Sequence, residues 1–167
     1  RAPYAVAADP TGPYLLVANA GAGTVTAINR FDNSITGVVS LGGLGYPQDI
    51  AVDTRRSVFY VAYAISPTSH VVAILSAPFT TGQIMPGRDA YPLLGAYRLA
   101  FDPVADHLYV MNGVAWLALQ PESGRLLHTV QTGTEAAFPD LVVDWIGRTI
   151  LVVARQRASL EVWRSLP

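Results

Sequence analysis

The chain has 167 residues, of which 51% are apolar and only 14% charged, against roughly 25% charged in an ordinary soluble domain. It therefore has much to bury and little to keep its surface wet, and its net charge of −1 gives no field to draw in nucleic acid or an anionic membrane. The absence of cysteine excludes disulfides, thiolate metal sites and a cysteine nucleophile, and no apolar run approaches the ~18 residues of a bilayer span.

The chain opens on Arg1 and not on methionine. A cleaved signal peptide or a trimmed fragment accounts for this, and the former carries the expectation of a periplasmic or extracellular location.

Internal repetition organises the rest. Short apolar runs end on Asp9 (YAVAAD), Asp53 (QDIAVD), Asp102 (YRLAFD) and Asp144 (PDLVVD), at spacings of 44, 49 and 42 residues. These intervals match the ~40–50-residue period of propeller blades. After each aspartate and a polar turn comes a second run: YLLVAN (14–19), VFYVAY (58–63), HLYVMN (107–112) and TILVVA (149–154). A third follows: TVTAIN (24–29), HVVAIL (70–75), VAWLAL (114–119) and SLEVWR (159–164). All are rich in β-branched and aromatic residues and of strand length, and helical periodicity is absent.

The punctuation fits. Asp9-Pro10 and Asp102-Pro103 combine a turn-capping carboxylate with the fixed proline angle, and Gly21, Gly23 and Gly113 tolerate positive φ in tight hairpins. Thr36-Gly37, Thr81-Gly82 and Ser123-Gly124 are read as the turns into a fourth, outer strand. The middle runs are apolar on both faces, as strands stacked between two other sheets must be.

The expected fold is therefore all-β: a propeller of four blade repeats in a single domain, with blades at about 3–45, 46–95, 96–137 and 138–167. The fourth repeat lacks its outer strand, because the corresponding turn would fall at or beyond Pro167. The edge at 159–164, with Leu160, Val162 and Trp163, is expected to be covered by a strand or subunit of a protein partner. No nucleic-acid partner, cofactor or metal is expected.

The apolar strand ending in Asp and often Pro, the Tyr-Val-x-Asn-like second strand and the Thr-Gly or Ser-Gly turn together resemble the YVTN repeat. Pro3…Asp9-Pro10…Leu16-Val17-Ala18-Asn19, Pro47…Asp53…Tyr60-Val61-Ala62-Tyr63 and Asp102-Pro103…Tyr109-Val110-Met111-Asn112 carry the resemblance. The fourth copy is degenerate, with Trp145 after the aspartate and Ala154 in place of Asn. Relatives of this kind include lactonase-type and NHL propellers. The resemblance implies the fold, with either a binding role or a hydrolase site in the central channel.

Inner strands line that channel, so the residues at their starts crowd one mouth. Four positions before each marker aspartate stand Ala5, Asp49, Arg98 and Asp140, and one position earlier Tyr4, Gln48, Tyr97 and Pro139. Asp49, Arg98 and Asp140, with Gln48 and Tyr97, are the candidate binding residues. A buried, hydrogen-bonded trio with a perturbed carboxylate would favour chemistry there, and a solvated one scaffolding. Lactonase-type relatives place His, Glu and Arg at this mouth; of those, only Arg98 is present here, so no catalytic residue is assigned. His70, His107 and His128 share no register and are read as surface strand residues. The marker aspartates are read as turn caps, and Trp116, Trp145 and Trp163 as packing between blades. A non-enzymatic binding or scaffolding module is the preferred reading, and a lactonase-like hydrolase or small-molecule site at the channel the alternative.

Overall fold

A computed structural model of the protein describes residues 2–42, 45–66, 69–85, 98–112, 115–131, 140–154 and 159–164. Within them the chain forms four successive antiparallel sheets in which each strand pairs with its neighbours in sequence. The first contains β1 (Pro3–Ala8), β2 (Tyr14–Asn19), β3 (Thr24–Asn29) and β4 (Ile35–Ser40). The second contains β5 (Tyr46–Asp53), β6 (Val58–Ser66), β7 (Ser69–Leu75) and the short β8 (Gln83–Ile84). The third contains β9 (Arg98–Asp102), β10 (His107–Met111), β11 (Ala115–Leu119) and β12 (Leu126–Gln131). The fourth is a three-stranded sheet of β13 (Asp140–Asp144), β14 (Thr149–Ala154) and β15 (Ser159–Arg164).

The sheets stack face to face, and this explains why their middle strands are apolar on both sides. Successive residues of a strand point to opposite faces. On β2, Leu16 and Ala18 pack with Phe59, Val61 and Tyr63 of β6. The alternate residues of β6, Tyr60 and Ala62, pack with Leu108 and Val110 of β10. Those of β10, Tyr109 and Met111, pack with Ile150 and Val152 of β14. The inner strands follow one another, β1 against β5, β5 against β9 and β9 against β13, in four separate sheets and not one continuous sheet. These are propeller blades, and the described blades form an open arc. Val6 on β1 is 64% exposed at one flank and Val142 on β13 is 54% exposed at the other.

All four marker aspartates cap the turn that follows their strand. The Asp9 carboxylate accepts the Thr11 N–H and hydroxyl, Asp53 the N–H groups of Arg55 and Arg56, Asp102 those of Val104 and Ala105, and Asp144 those of Ile146 and Gly147. The first three aspartates are fully buried, and Asp144 is exposed.

One turn differs from the sequence expectation. Thr36 and Gly37 lie inside β4, and the hairpin is made earlier, by residues 30–34. There Asn33 takes a positive φ of 60°, while Asn29 and Asp32 accept the N–H groups of Phe31 and Ser34. Asparagine and aspartate supplied the turn chemistry that had been ascribed to glycine. Thr81-Gly82 precede β8 and Ser123-Gly124 precede β12, as expected.

Candidate functional site at the inner-strand ends

The starts of β5, β9 and β13 bring the predicted polar residues Asp49, Arg98 and Asp140 to one end of the stack, and the first two reach toward the following blade. Asp49 Oδ2 accepts the backbone N–H of Leu99 on β9 at 2.7 Å. Arg98, beside Leu99, aims its Nε at Asp140 Oδ1 on β13, 3.4 Å away. Asp140 Oδ1 also accepts the Leu141 N–H at 3.0 Å. These groups thus stitch blade two to blade three and blade three to blade four.

Their surroundings differ. Asp49 is largely enclosed, and burial pushes its carboxyl from 3.8 up to about 6, against the Leu99 and Ile50 N–H groups and the Arg98 charge, which favour the carboxylate. Arg98 and Asp140 are wetter, with side chains 28% and 61% exposed. The mouth therefore holds one half-buried carboxyl with a raised pKa beside a solvated ion pair. The three groups do not form one buried trio: Asp49 is half-buried and hydrogen-bonded, and the Arg98–Asp140 pair is solvated.

A feature not read from the sequence places Gln48. The ladder between β5 and β6 shifts register between Pro47 and Asp49, so Gln48 is a bulge residue, and β1 shifts identically between Pro3 and Ala5. A bulge re-aims its side chain, and here Gln48 Oε1 is buried with no hydrogen-bond partner among the described residues. Pro3 and Pro47, each one residue ahead of the bulge, were the available signal. Tyr97 and Pro139 lie outside the described residues.

At the same end, Ala20, Gly21, Gly23, Ser40, Gly45 and Tyr46 line a cavity of about 200 Å³. That is below the ~300–1,000 Å³ of a typical small-molecule site.

The remaining predicted residues are placed as follows. Val162 is 61% exposed, whereas Trp163 turns inward and sets its ring edge-on to Trp116, centroids 6.2 Å apart. Leu160 lies on β15 with its side chain outside the described part. Trp116 is core and Trp145 is half exposed. The histidine expectation needs correction. Only His128 is exposed; His70 and His107 are buried in the blade interfaces, where burial lowers both pKa values, and His107 sits 3.4 Å from the Tyr109 hydroxyl. A strand apolar on both faces buries its terminal residues too, which a surface reading overlooked.

A second polar cluster, at the opposite ends of the inner strands, was also not foreseen. Arg56 of blade two contacts Asp53, Asp106 and Glu122, and Arg55 reaches Asp106 and the Pro103 carbonyl. Two arginines in one marker turn and an aspartate in the next repeat's equivalent turn were the legible sign.

No protein-family model matches the chain, and no curated protein matches it in sequence. Solved structures do match in shape. The Kuenenia stuttgartiensis hydrazine synthase matches with a TM-score of 0.76 at 16% identity, over 97% of this chain and 46% of that one. A structural-genomics protein of unknown function from Bacteroides thetaiotaomicron matches with a TM-score of 0.72 at 14% identity, over 98% and 41%. The β-propeller domain of Myceliophteria thermophila Cps50 (Swd1) matches with a TM-score of 0.71 at 11% identity, over 99% and 54%. The chain thus spans about half the length of the structures it matches, and the likeness establishes the propeller fold.

Proposed function

We propose that this chain is a non-enzymatic propeller segment of the YVTN-repeat kind, serving to bind or scaffold protein partners within a larger assembly. The observation that carries this reading is how the polar mouth is used. Asp49 is committed to the Leu99 N–H of the next blade and Arg98 to Asp140 of the one after. Groups that hold blades together are set by packing, not aimed at a reacting atom. The named neighbours include a synthase and a propeller domain, so the fold itself does not assign an activity.

A second reading, a small-molecule or lactonase-like site at the mouth, is favoured by one specific pair of facts. Burial raises the Asp49 carboxyl to about 6, where a general base works, and the neighbouring Gln48 Oε1 is buried with no hydrogen-bond partner among the described residues. Hydrolysis of a panel of lactones and aryl esters, by the wild type and by Asp49→Asn, separates the two. The scaffold reading expects no turnover that depends on Asp49. Turnover that disappears in a folded Asp49→Asn variant overturns it.

A further inference from the structure

The interface between blades three and four holds a row of oxidisable rings in contact. His107 and Tyr109 lie on β10, Trp116 on β11 and Trp163 on β15. Tyr109 meets Trp116 edge-on, centroids 5.6 Å apart, and Trp116 meets Trp163 in the same way at 6.2 Å. At the inner end of the row, His107 Nδ1 stands 3.4 Å from the Tyr109 hydroxyl. Tyr109 and Trp116 are fully buried, and Trp163 is half-buried.

Packing alone does not call for these residues. Strand register places Val25 of blade one and Val72 of blade two where Trp116 stands in blade three, opposite Ala18, Ala62 and Met111. The position of Trp163 is held by Ile28, Leu75 and Leu119 in blades one to three. Other blades therefore fill both places with aliphatic side chains. Each indole instead brings an N–H group into the core, and neither Nε1 has a hydrogen-bond partner among the described residues. A buried unsatisfied donor opposes folding, so two side by side need a reason beyond filling space.

One-electron chemistry supplies that reason. We propose that Trp163, Trp116 and Tyr109 carry an oxidising equivalent inward and that it comes to rest on Tyr109. A one-electron oxidant of the peroxyl-radical class takes an electron from Trp163 and is reduced to its anion. Trp163 is refilled by an electron from Trp116, and Trp116 by one from Tyr109. As Tyr109 gives up its electron, its phenolic proton passes to His107 Nδ1, leaving a neutral tyrosyl radical and an imidazolium. Burial lowers the His107 pKa, helped by His128 and Arg148 and opposed by Asp102 and Asp106. The ring is thus neutral at pH 7 and able to accept, and the two carboxylates favour the imidazolium once it forms.

The unpartnered indole N–H groups fit this direction of flow. An oxidised indole sheds its N–H proton to an acceptor, and having done so it is a weaker oxidant. With no acceptor at either Nε1, the indole radical cation keeps the strength to oxidise the phenol, which has His107 beside it. A hole arriving on either indole ends on Tyr109 whatever lies beyond β15, and independently of what the channel mouth does.

Azide radicals made by pulse radiolysis are the probe, since near neutral pH they oxidise tryptophan in preference to tyrosine. Trp145→Phe is the working background, because it leaves only the two indoles of the interface. In it the tryptophanyl absorption should decay as a tyrosyl absorption rises, at a rate independent of protein concentration. Adding Tyr109→Phe should abolish the tyrosyl rise and leave the tryptophanyl radical long-lived. Adding Trp116→Phe should strand the radical on Trp163, and adding His107→Phe should slow the rise. Circular dichroism checks that each variant is folded. Absence of any tryptophanyl-to-tyrosyl conversion overturns the inference, and so does a tyrosyl rise that persists in folded Tyr109→Phe. If Tyr109→Phe fails to fold, undiminished conversion in Trp116→Phe overturns it instead.

Discussion

The Arg56 guanidinium grips the Asp106 carboxylate at two points, Nη1 to Oδ1 at 2.7 Å and Nη2 to Oδ2 at 2.8 Å, and so ties the marker turn of blade two to that of blade three. The same Nη1 faces Asp53 Oδ2 at 2.7 Å, and that side chain is wholly buried. Removing one partner of such a group leaves a buried charge poorly compensated, which costs more than the pair itself contributes. Arg56→Ala is therefore expected to destabilise the chain by about 2 kcal/mol, with urea unfolding as the measurement. Glu122, 68% exposed, is the internal control: Glu122→Ala should cost less than about 0.5 kcal/mol. Equal losses would show that Asp53 does not need Arg56.

The Asp49 carboxyl predicts an unusual pH dependence. Its pKa lies near 3.8 in the unfolded chain and about 6 in the folded one. Between those values the folded state holds the extra proton, so stability falls as pH rises through the window and levels off above about pH 6. Asp49→Asn keeps an oxygen for the Leu99 N–H but cannot ionise. It should therefore be more stable than the wild type near pH 8, by a gain on the order of 2 kcal/mol, and the two should converge near pH 4. Denaturant unfolding across that range gives the answer, and a wild type that outlasts Asp49→Asn above pH 6 contradicts it.

Gly37 is needed for room. A Cβ on it would stand 2.7 Å from the Phe79 carbonyl oxygen and 3.0 Å from the Phe79 Cβ. Phe79 is buried edge-on against Tyr14 and Phe59, centroids 4.8 and 5.9 Å away, closing the interface between blades one and two. Gly37→Ala is expected to cost about 1–3 kcal/mol through overpacking, and thermal unfolding would show it. A neutral outcome would mean that the Phe79 turn shifts freely.

These three cases mark what the sequence could show. The blade period, the inner strands and the capping aspartates were legible because each depends on local pattern: apolar runs, a carboxylate and a turn. The gathering of Asp49, Arg98 and Asp140 was legible because equal register in a repeat implies equal place around the axis. Gly37, Gln48 and the buried His70 and His107 were not, for a common reason. A glycine reads as a turn whether it frees φ or clears space, a proline marks a bulge only once the strand ladder is known, and the burial of a strand-end histidine is decided by a neighbouring blade. The arginines at 55 and 56 were visible as residues, but their partners lie 50 positions away in the next marker turn.

The final prediction concerns the outer edge of blade four. In blades one, two and three the third strand is paired on both sides, β3 with β4, β7 with β8 and β11 with β12, while among the described residues β15 pairs with β14 alone. Among the described residues no strand pairs with its other side, beside the exposed Val162, and an unpaired strand edge is a template for another strand. A synthetic peptide carrying the β12 sequence LLHTVQ, the outer strand of blade three, should act as a surrogate fourth strand. Bound, it should slow amide hydrogen exchange along Ser159–Arg164 toward the rate of β11, and a scrambled peptide of the same composition should not. Exchange along β15 that is already slow in the chain alone, or that no outer-strand peptide slows, would show that this edge is not an acceptor for a partner strand.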